Sequence, residues 1–200
     1  MSSQISLFRL LFEGLVTNAE GFWGDRAAGI LLMARDTGRW LVLLRSDWVN
    51  EPGTWGIAGG KLDDPEESPE EAARREATEE LGGVDVQDLE SAYVFTSPNG
   101  TFKYHNFLGV VPSEFKPDLG DGENVGFKWL TFDELKKLRN KHFGLSALLA
   151  NSGEMIQKMS GDAVKSSRKS TRLGLESPGQ SSPRHGTKPS SGRRSPSAGL

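Results

Sequence analysis

Between Ser68 and Gly83 the sequence specifies a helix at both ends, and the residues inside it restrict the fold more than any other segment. Ser68 is placed to cap the first turn. Pro69 suits the first helical position, where its fixed φ is already helical and its missing N–H has no partner to lose. Glu71 supplies the return half of a capping box. Gly82-Gly83 supplies the stop, because glycine enters the left-handed conformation that ends helices without a steric penalty. Within these limits Ala73, Ala77 and Leu81 recur every four residues. They make a narrow face of small side chains that lets the helix approach a sheet closely. Glu76, Glu79 and Glu80 fall at i, i+3 and i+4, so three carboxylates share one patch. Like charges at that spacing cost a helix about 0.2–0.5 kcal/mol per pair. A compensating cation is therefore expected, and a hard divalent ion such as Mg²⁺ binds carboxylate oxygens while keeping positions for water and phosphate.

The segments around this helix supply the sheet. Ala27–Ala34 and Trp40–Leu44 are short apolar runs joined by Asp36-Thr37-Gly38-Arg39, which predicts a hairpin of largely buried strands. Residues 51–60 (EPGTWGIAGG) combine loop and strand and pass close to something, given their glycines. Strands are predicted at Ala92–Thr96 and Phe102–Val111, separated by Ser97-Pro98-Asn99-Gly100, and again at Val125–Leu130. An amphipathic helix is predicted from Phe132 to about Arg139, and a last helix from Leu145 to Met159. Ile5–Phe12 reads as either an edge strand or a short helix. Strands and helices interleaved at this length predict an α/β sandwich with a mixed sheet.

The glycine before the helix, the arginine within it and the glutamates together resemble a known pattern. Gly60, Glu67 and Arg75-Glu76-Ala77-Thr78-Glu79-Glu80-Leu81-Gly82 are similar to the Nudix hydrolase box, G-x5-E-x7-R-E-U-x-E-E-x-G-U. Two positions depart from it: six residues separate Gly60 from Glu67 where the family has five, and the final apolar position is Gly83. The extra residue lies in the loop from Lys61 to Glu66, ahead of the cap that fixes the helix register. Glu66 keeps the family spacing from Gly60 and Glu67 keeps the spacing to Arg75. Glu67 is preferred because the rigid helix sets the second distance. The resemblance extends from about residue 26 to residue 150. It takes in the strand pair, the approach Ala58-Gly59-Gly60-Lys61, and Glu123, Trp129 and Asp133-Glu134-Leu135.

That resemblance implies the Nudix α/β/α sandwich with a mixed β-sheet, and hydrolysis of a pyrophosphate bond with Mg²⁺ or Mn²⁺. By family likeness Glu79 and Glu80 are the principal metal ligands and Glu76 shares metal or water. Glu67 ligates or positions a second metal. Arg75 orients the carboxylates through charge-assisted hydrogen bonds. Gly59, Gly60 and Lys61 would meet the substrate. Glu123 is a candidate general base, with Glu79 or Glu80 as competitors. The substrate expected is a nucleoside diphosphate linked to another group. ADP-ribose or a nucleotide sugar is slightly favoured because Pro98 sits 15 residues after Gly83. Trp23, Trp48 and Trp55 are each able to stack a base or to fill a core, while His105 and His142 are expected to be structural. Two rival activities are a Nudix-fold module that binds a nucleotide without cleaving it, and an RNA 5′-end pyrophosphohydrolase or decapping enzyme.

Composition matters mainly through its distribution. Residues 161–200 carry eight basic side chains against two acidic ones, a charge of +6, so a total of −3 leaves −9 on residues 1–160. Those last forty residues also hold ten Ser, six Gly and four Pro with no aromatic, which predicts a disordered basic tail behind a Nudix domain over 1–160. Contact between nucleic acid and that tail is one expectation, and a solubilising linker is the other. The absence of cysteine excludes a disulfide framework, a thiolate nucleophile and cysteine-bound zinc or iron–sulfur centres. No apolar run approaches the roughly 18–20 residues of a membrane span. Met1–Arg9 lacks the pattern of a secretory signal, so a cytoplasmic location is expected.

Overall fold

A computed structural model describes residues 26–97, 100–120 and 122–174, with side chains to residue 166. The expectations placed on Ile5–Phe12, Trp23, Pro98 and the chain beyond residue 174 lie outside the described residues. The described part contains β1 (Arg26–Ala34), β2 (Trp40–Arg45), β3 (Trp55–Gly56) and β4 (Ala58–Lys61), then α1 (Pro69–Leu81). It continues with β5 (Asp88–Thr96), β6 (Lys103–Val111), β7 (Asn124–Leu130), α2 (Phe132–Lys137) and α3 (Phe143–Gly174). All strands belong to one seven-stranded sheet of order β3-β2-β1-β6-β5, with β4 also on β1 and β7 on β2.

The predicted hairpin exists, but its strands part company. β1 and β2 are antiparallel partners at Met33 and Trp40. The chain at 55–61 then fills the space between them, pairing Trp55–Gly56 with Leu44 and Leu43 on β2, and Ala58–Lys61 with Ile30–Ala27 on β1. The outer side of β1 runs parallel to β6 along its whole length, which makes the sheet mixed. This wedge places Gly59 and Gly60 directly beneath α1.

Both faces of the sheet are covered, because β1 is apolar at every position from Ala27 to Ala34 and alternates its side chains between two cores. Ile30 and Leu32 face one cluster with Leu41, Leu43, Phe107 and, from α1, the small residues Ala72, Ala73 and Ala77 together with Leu81. Leu31 and Met33 face the other with Trp40, Val42, Leu108, and Leu135, Leu145, Leu148 and Ile156 of α2 and α3. This is the expected α/β/α sandwich. α1 begins and ends as its sequence dictates. Ser68 Oγ accepts from Glu71 N–H, Glu71 returns to the Ser68 backbone, and Gly82 closes the helix at φ 80° with its N–H donated to Thr78 O.

The last helix differs from expectation at both ends and in the middle. It is bent at Ser152 (φ −126°, ψ 15°), whose hydroxyl donates to Ala92 O on β5 instead of supporting a straight helix. It also continues through Gly174, past the boundary that composition draws after residue 160. Packing holds the first turn of the extension: the Trp40 indole N–H donates to Ser160 Oγ at 2.7 Å, and Ala163 is buried in the second core.

His142 precedes α3, partly buried beside Glu51, whose Oε2 accepts from Phe143 N–H at 3.2 Å. Burial pushes its imidazole down from an ordinary 6.5 to about 3, and Arg45 adds to the effect. A histidine depressed in the folded state contributes stability that is complete above its unfolded pKa and is lost as pH falls from about 6.5 toward 3. Glu51, raised chiefly by its own burial, works in the opposite sense at the acid end of that window. Urea denaturation of the wild type should therefore show falling stability between pH 6.5 and 4, by at most about 1.4 kcal/mol per pH unit from this group. The dependence should flatten in His142→Gln. An equal slope in the two proteins would refute the assignment.

Candidate functional site

Arg75 organises the carboxylates of α1 and the loop before it. Its Nε donates to Glu67 Oε1 at 2.9 Å, its Nη1 to Glu76 Oε1 at 2.9 Å and to Glu79 Oε2 at 3.1 Å, and its Nη2 to the Lys61 carbonyl at 3.0 Å. Asp63 joins the same guanidinium at 3.4 Å. One planar cation with fork-like donors thus holds four acids, a geometry that a lysine ammonium does not reproduce. The arginine bond keeps Glu67 below the usual carboxylate range, and that bond in turn raises Arg75 further. Glu76 moves the other way: its burial raises it, and the Arg75 charge only partly offsets the rise.

Gly60 lies against the Glu76 carboxylate. A Cβ there would lie 2.5 Å from Glu76 Oε1, so any side chain would displace this carboxylate. Gly59 contributes its backbone: its N–H donates to Glu80 Oε1 at 2.7 Å. Glu80 points away from the arginine cluster into the protein and is 5% exposed. Its second oxygen accepts from Asn124 Nδ2 at 2.6 Å, which joins α1 to the first residue of β7.

The structure therefore brings Glu67, Arg75, Glu76 and Glu79 into one cluster and sets Glu80 beside it on Gly59. Glu67 is the residue that meets Arg75, while the backbone N–H of Glu66 is engaged with Asp64 Oδ1 in the preceding turn. Lys61 joins the cluster through its carbonyl, with its side chain exposed. Glu123 lies next to Asn124, and its carbonyl accepts from Ser46 N–H at 2.8 Å. Trp48 is 91% exposed on the β2–β3 loop, whereas Trp55 is packed against the second core beneath Lys128, whose Nζ lies 4.3 Å from the ring centroid. His105 is partly buried, and burial lowers its pKa.

Asp63 and Asn124 are site residues that the sequence pattern did not single out. Asp63 is one of several loop acids, and asparagine at a strand start is indistinguishable from an ordinary turn residue.

Among the described residues no group of three or more His, Asp or Glu is gathered in a ready-made metal cage. The donors nevertheless suit a hard divalent cation. They are carboxylate oxygens only, and Glu76 is partly desolvated. Such an ion would be held by Glu76, Glu79 and Glu80, with Glu67 alongside. The described helices include none long and apolar enough to cross a membrane.

Comparison with known proteins gives a consistent result. The NUDIX domain family model matches residues 24–150. A putative 8-oxo-dGTP diphosphatase 3 of Mycobacterium tuberculosis is 45% identical over 136 residues, covering 63% of this chain and 62% of that protein. A nucleoside triphosphate pyrophosphatase/Nudix hydrolase fusion protein of Bifidobacterium longum is 34% identical over 121 residues, covering 56% of this chain and 25% of that protein. The chain thus spans a quarter of one of these relatives and less than two thirds of the other. Among solved structures, the NUDIX domain of Shewanella oneidensis NrtR complexed with ADP ribose superposes with a TM-score of 0.54 at 17% identity, over 72% of this chain and 97% of that one. The Nudix hydrolase RenU of M. smegmatis superposes with a TM-score of 0.53 at 23% identity, over 80% and 92%. These two likenesses speak to the fold.

Proposed function

The chain belongs to the NUDIX domain family, and from that premise we propose that it is a divalent-metal-dependent pyrophosphohydrolase. Its substrate class is a nucleoside diphosphate linked to a further group. The observation that carries the reading is the carboxylate arrangement on α1, in which Arg75 gathers Glu67, Glu76 and Glu79 and Gly59 fixes Glu80 beside them.

A bound Mg²⁺ or Mn²⁺ would neutralise the phosphate oxygens and lower the pKa of a water for in-line attack. The chain supplies the rest. Glu76 and Glu79 present negative oxygens beside Arg75, with Glu80 buried next to them on Gly59, so an anionic substrate meets this acidic protein favourably only where a cation intervenes. Arg75 prevents the carboxylates from repelling one another apart. Gly59 and Gly60, without side chains, let β4 lie close against β1 and against the Glu76 carboxylate, which keeps the acids of α1 where a substrate would meet them. Glu123, beside Asn124 at the start of β7, is the candidate for taking the proton of the attacking water.

Two kinds of substrate fall within this class. The relative named as a putative 8-oxo-dGTP diphosphatase points to oxidised nucleoside triphosphates, and the spacing of Pro98 points to ADP-ribose or a nucleotide sugar. A panel of 8-oxo-dGTP, ADP-ribose, nucleotide sugars and 5′-triphosphorylated RNA, each with Mg²⁺ and with Mn²⁺, should show turnover of a nucleoside diphosphate derivative with release of a nucleoside monophosphate. Binding without turnover by any member would overturn the hydrolase reading in favour of a nucleotide-binding module. Turnover of RNA alone would overturn the substrate class.

A further inference from the structure

Glu80 is anchored through both oxygens, and its two anchors come from different parts of the chain. Gly59 is a backbone donor on β4, and its contact at 2.7 Å is set by the pairing of β4 with β1. Asn124 is a side-chain donor at 2.6 Å, 5% exposed like the glutamate it meets. Its own position is fixed on both flanks. Asn124 pairs with Arg45 across a shift in register between Leu44 and Arg45, and the neighbouring Glu123 carbonyl takes the Ser46 N–H at 2.8 Å.

We propose that Asn124 is a positioning residue for Glu80, setting the angle at which that carboxylate faces a bound cation. The inference rests on the reading of Glu80 as a metal-holding group. A carboxylate has about four lone-pair sites, more than the Gly59 and Asn124 donors take up. The terminal torsion of a glutamate is soft, so a carboxylate held at one oxygen pivots about that contact. Asn124 acts against that pivot at the second oxygen, and an amide does so without adding a competing negative charge. A merely structural role, the satisfaction of a buried polar pair, would register in stability alone.

Full-length wild type, Asn124→Leu, Glu80→Ala and the double variant separate these roles. Mn²⁺ affinity is read from the paramagnetic resonance of the free ion, kcat and KM from hydrolysis of 8-oxo-dGTP or ADP-ribose, and folding from the thermal midpoint. Asn124→Leu is expected to weaken Mn²⁺ binding by about 10- to 100-fold and to lower kcat by a similar factor, with KM little changed. In the Glu80→Ala background the same substitution should change Mn²⁺ affinity no further, because the two side chains act as a unit. If Asn124→Leu lowers only the thermal midpoint, or if its effect on Mn²⁺ binding persists without Glu80, the proposal is overturned while the role of Glu80 stands. If Glu80→Ala binds Mn²⁺ and turns over like the wild type, the underlying reading falls as well. Asn124→Ser, whose hydroxyl is too short to reach Glu80, supplies the same comparison should the leucine variant not fold.

Discussion

Glu80→Gln is expected to lower kcat by about three orders of magnitude, equivalent to about 4 kcal/mol of transition-state stabilisation. The structure adds a second effect that an exposed ligand would not show. Glu80 accepts from Gly59 N–H on one oxygen and from Asn124 Nδ2 on the other, whereas an amide has a single acceptor oxygen. Either orientation of the glutamine turns its NH₂ group toward a donor. Leaving buried groups mispaired costs about 1–3 kcal/mol, partly offset by the removal of a buried charge. A fall of a few degrees in the thermal midpoint, about 2–4 °C per kcal/mol at this size, should accompany the kinetic loss. Adding Asn124→Asp restores one donor–acceptor pair, so it should recover stability but not kcat, since the negative charge then sits on β7 and not on the helix. A Glu80→Gln enzyme with undiminished turnover would defeat the assignment of the site.

Arg75→Gln should be the second most damaging single change, and its signature is the opposite one. Here the loss is of a cation among acids: Glu67, Glu76, Glu79 and Asp63 are left facing one another. Charge-assisted bonds are worth about 1.5–3 kcal/mol each, but Glu79 and Asp63 are more than half exposed and their contacts are screened. A destabilisation of about 2 kcal/mol is therefore expected without metal, carried mostly by the bonds to Glu67 and Glu76. Saturating Mg²⁺ should narrow that deficit, because an ion that binds only the folded form stabilises it. Turnover should fall about 100-fold through misplaced carboxylates. Arg75→Lys should recover little, since one ammonium cannot span Glu67, Glu76 and the Lys61 carbonyl together. Urea denaturation with and without Mg²⁺, beside kcat, checks both halves. Equal stability of Arg75→Gln and wild type in metal-free buffer would show that the guanidinium does not hold the acids together.

The helix at 69–81 was legible in the sequence because everything that defines it is local. Cap, proline, capping box and left-handed glycine lie within one stretch, and so does the spacing that puts Arg75 in reach of Glu79. The strands were legible as apolar runs, but their partners were not. Nothing in Ala27–Ala34 or Trp40–Leu44 reveals that the two separate after one pair of residues and admit 55–61 between them. The same limit hid Asn124, whose role depends on where β7 lies relative to α1. Composition read the last helix as ending near Met159, since it could not register the contact of Trp40 with Ser160 that prolongs it.

The wedge between β1 and β2 also has a kinetic meaning. Helix α1 carries its own start and stop signals, so it can flicker into existence in an otherwise unfolded chain. Glu80, however, acquires its orientation only after residues 58–61 have found β1 and residues 124–130 have found β2. Such closures over long stretches of chain are the slow steps of folding. During refolding, helical signal should thus return before hydrolysis does, and the recovery of activity should keep pace with the burial of Trp40. The site's geometry should be a late event in the protein's own assembly.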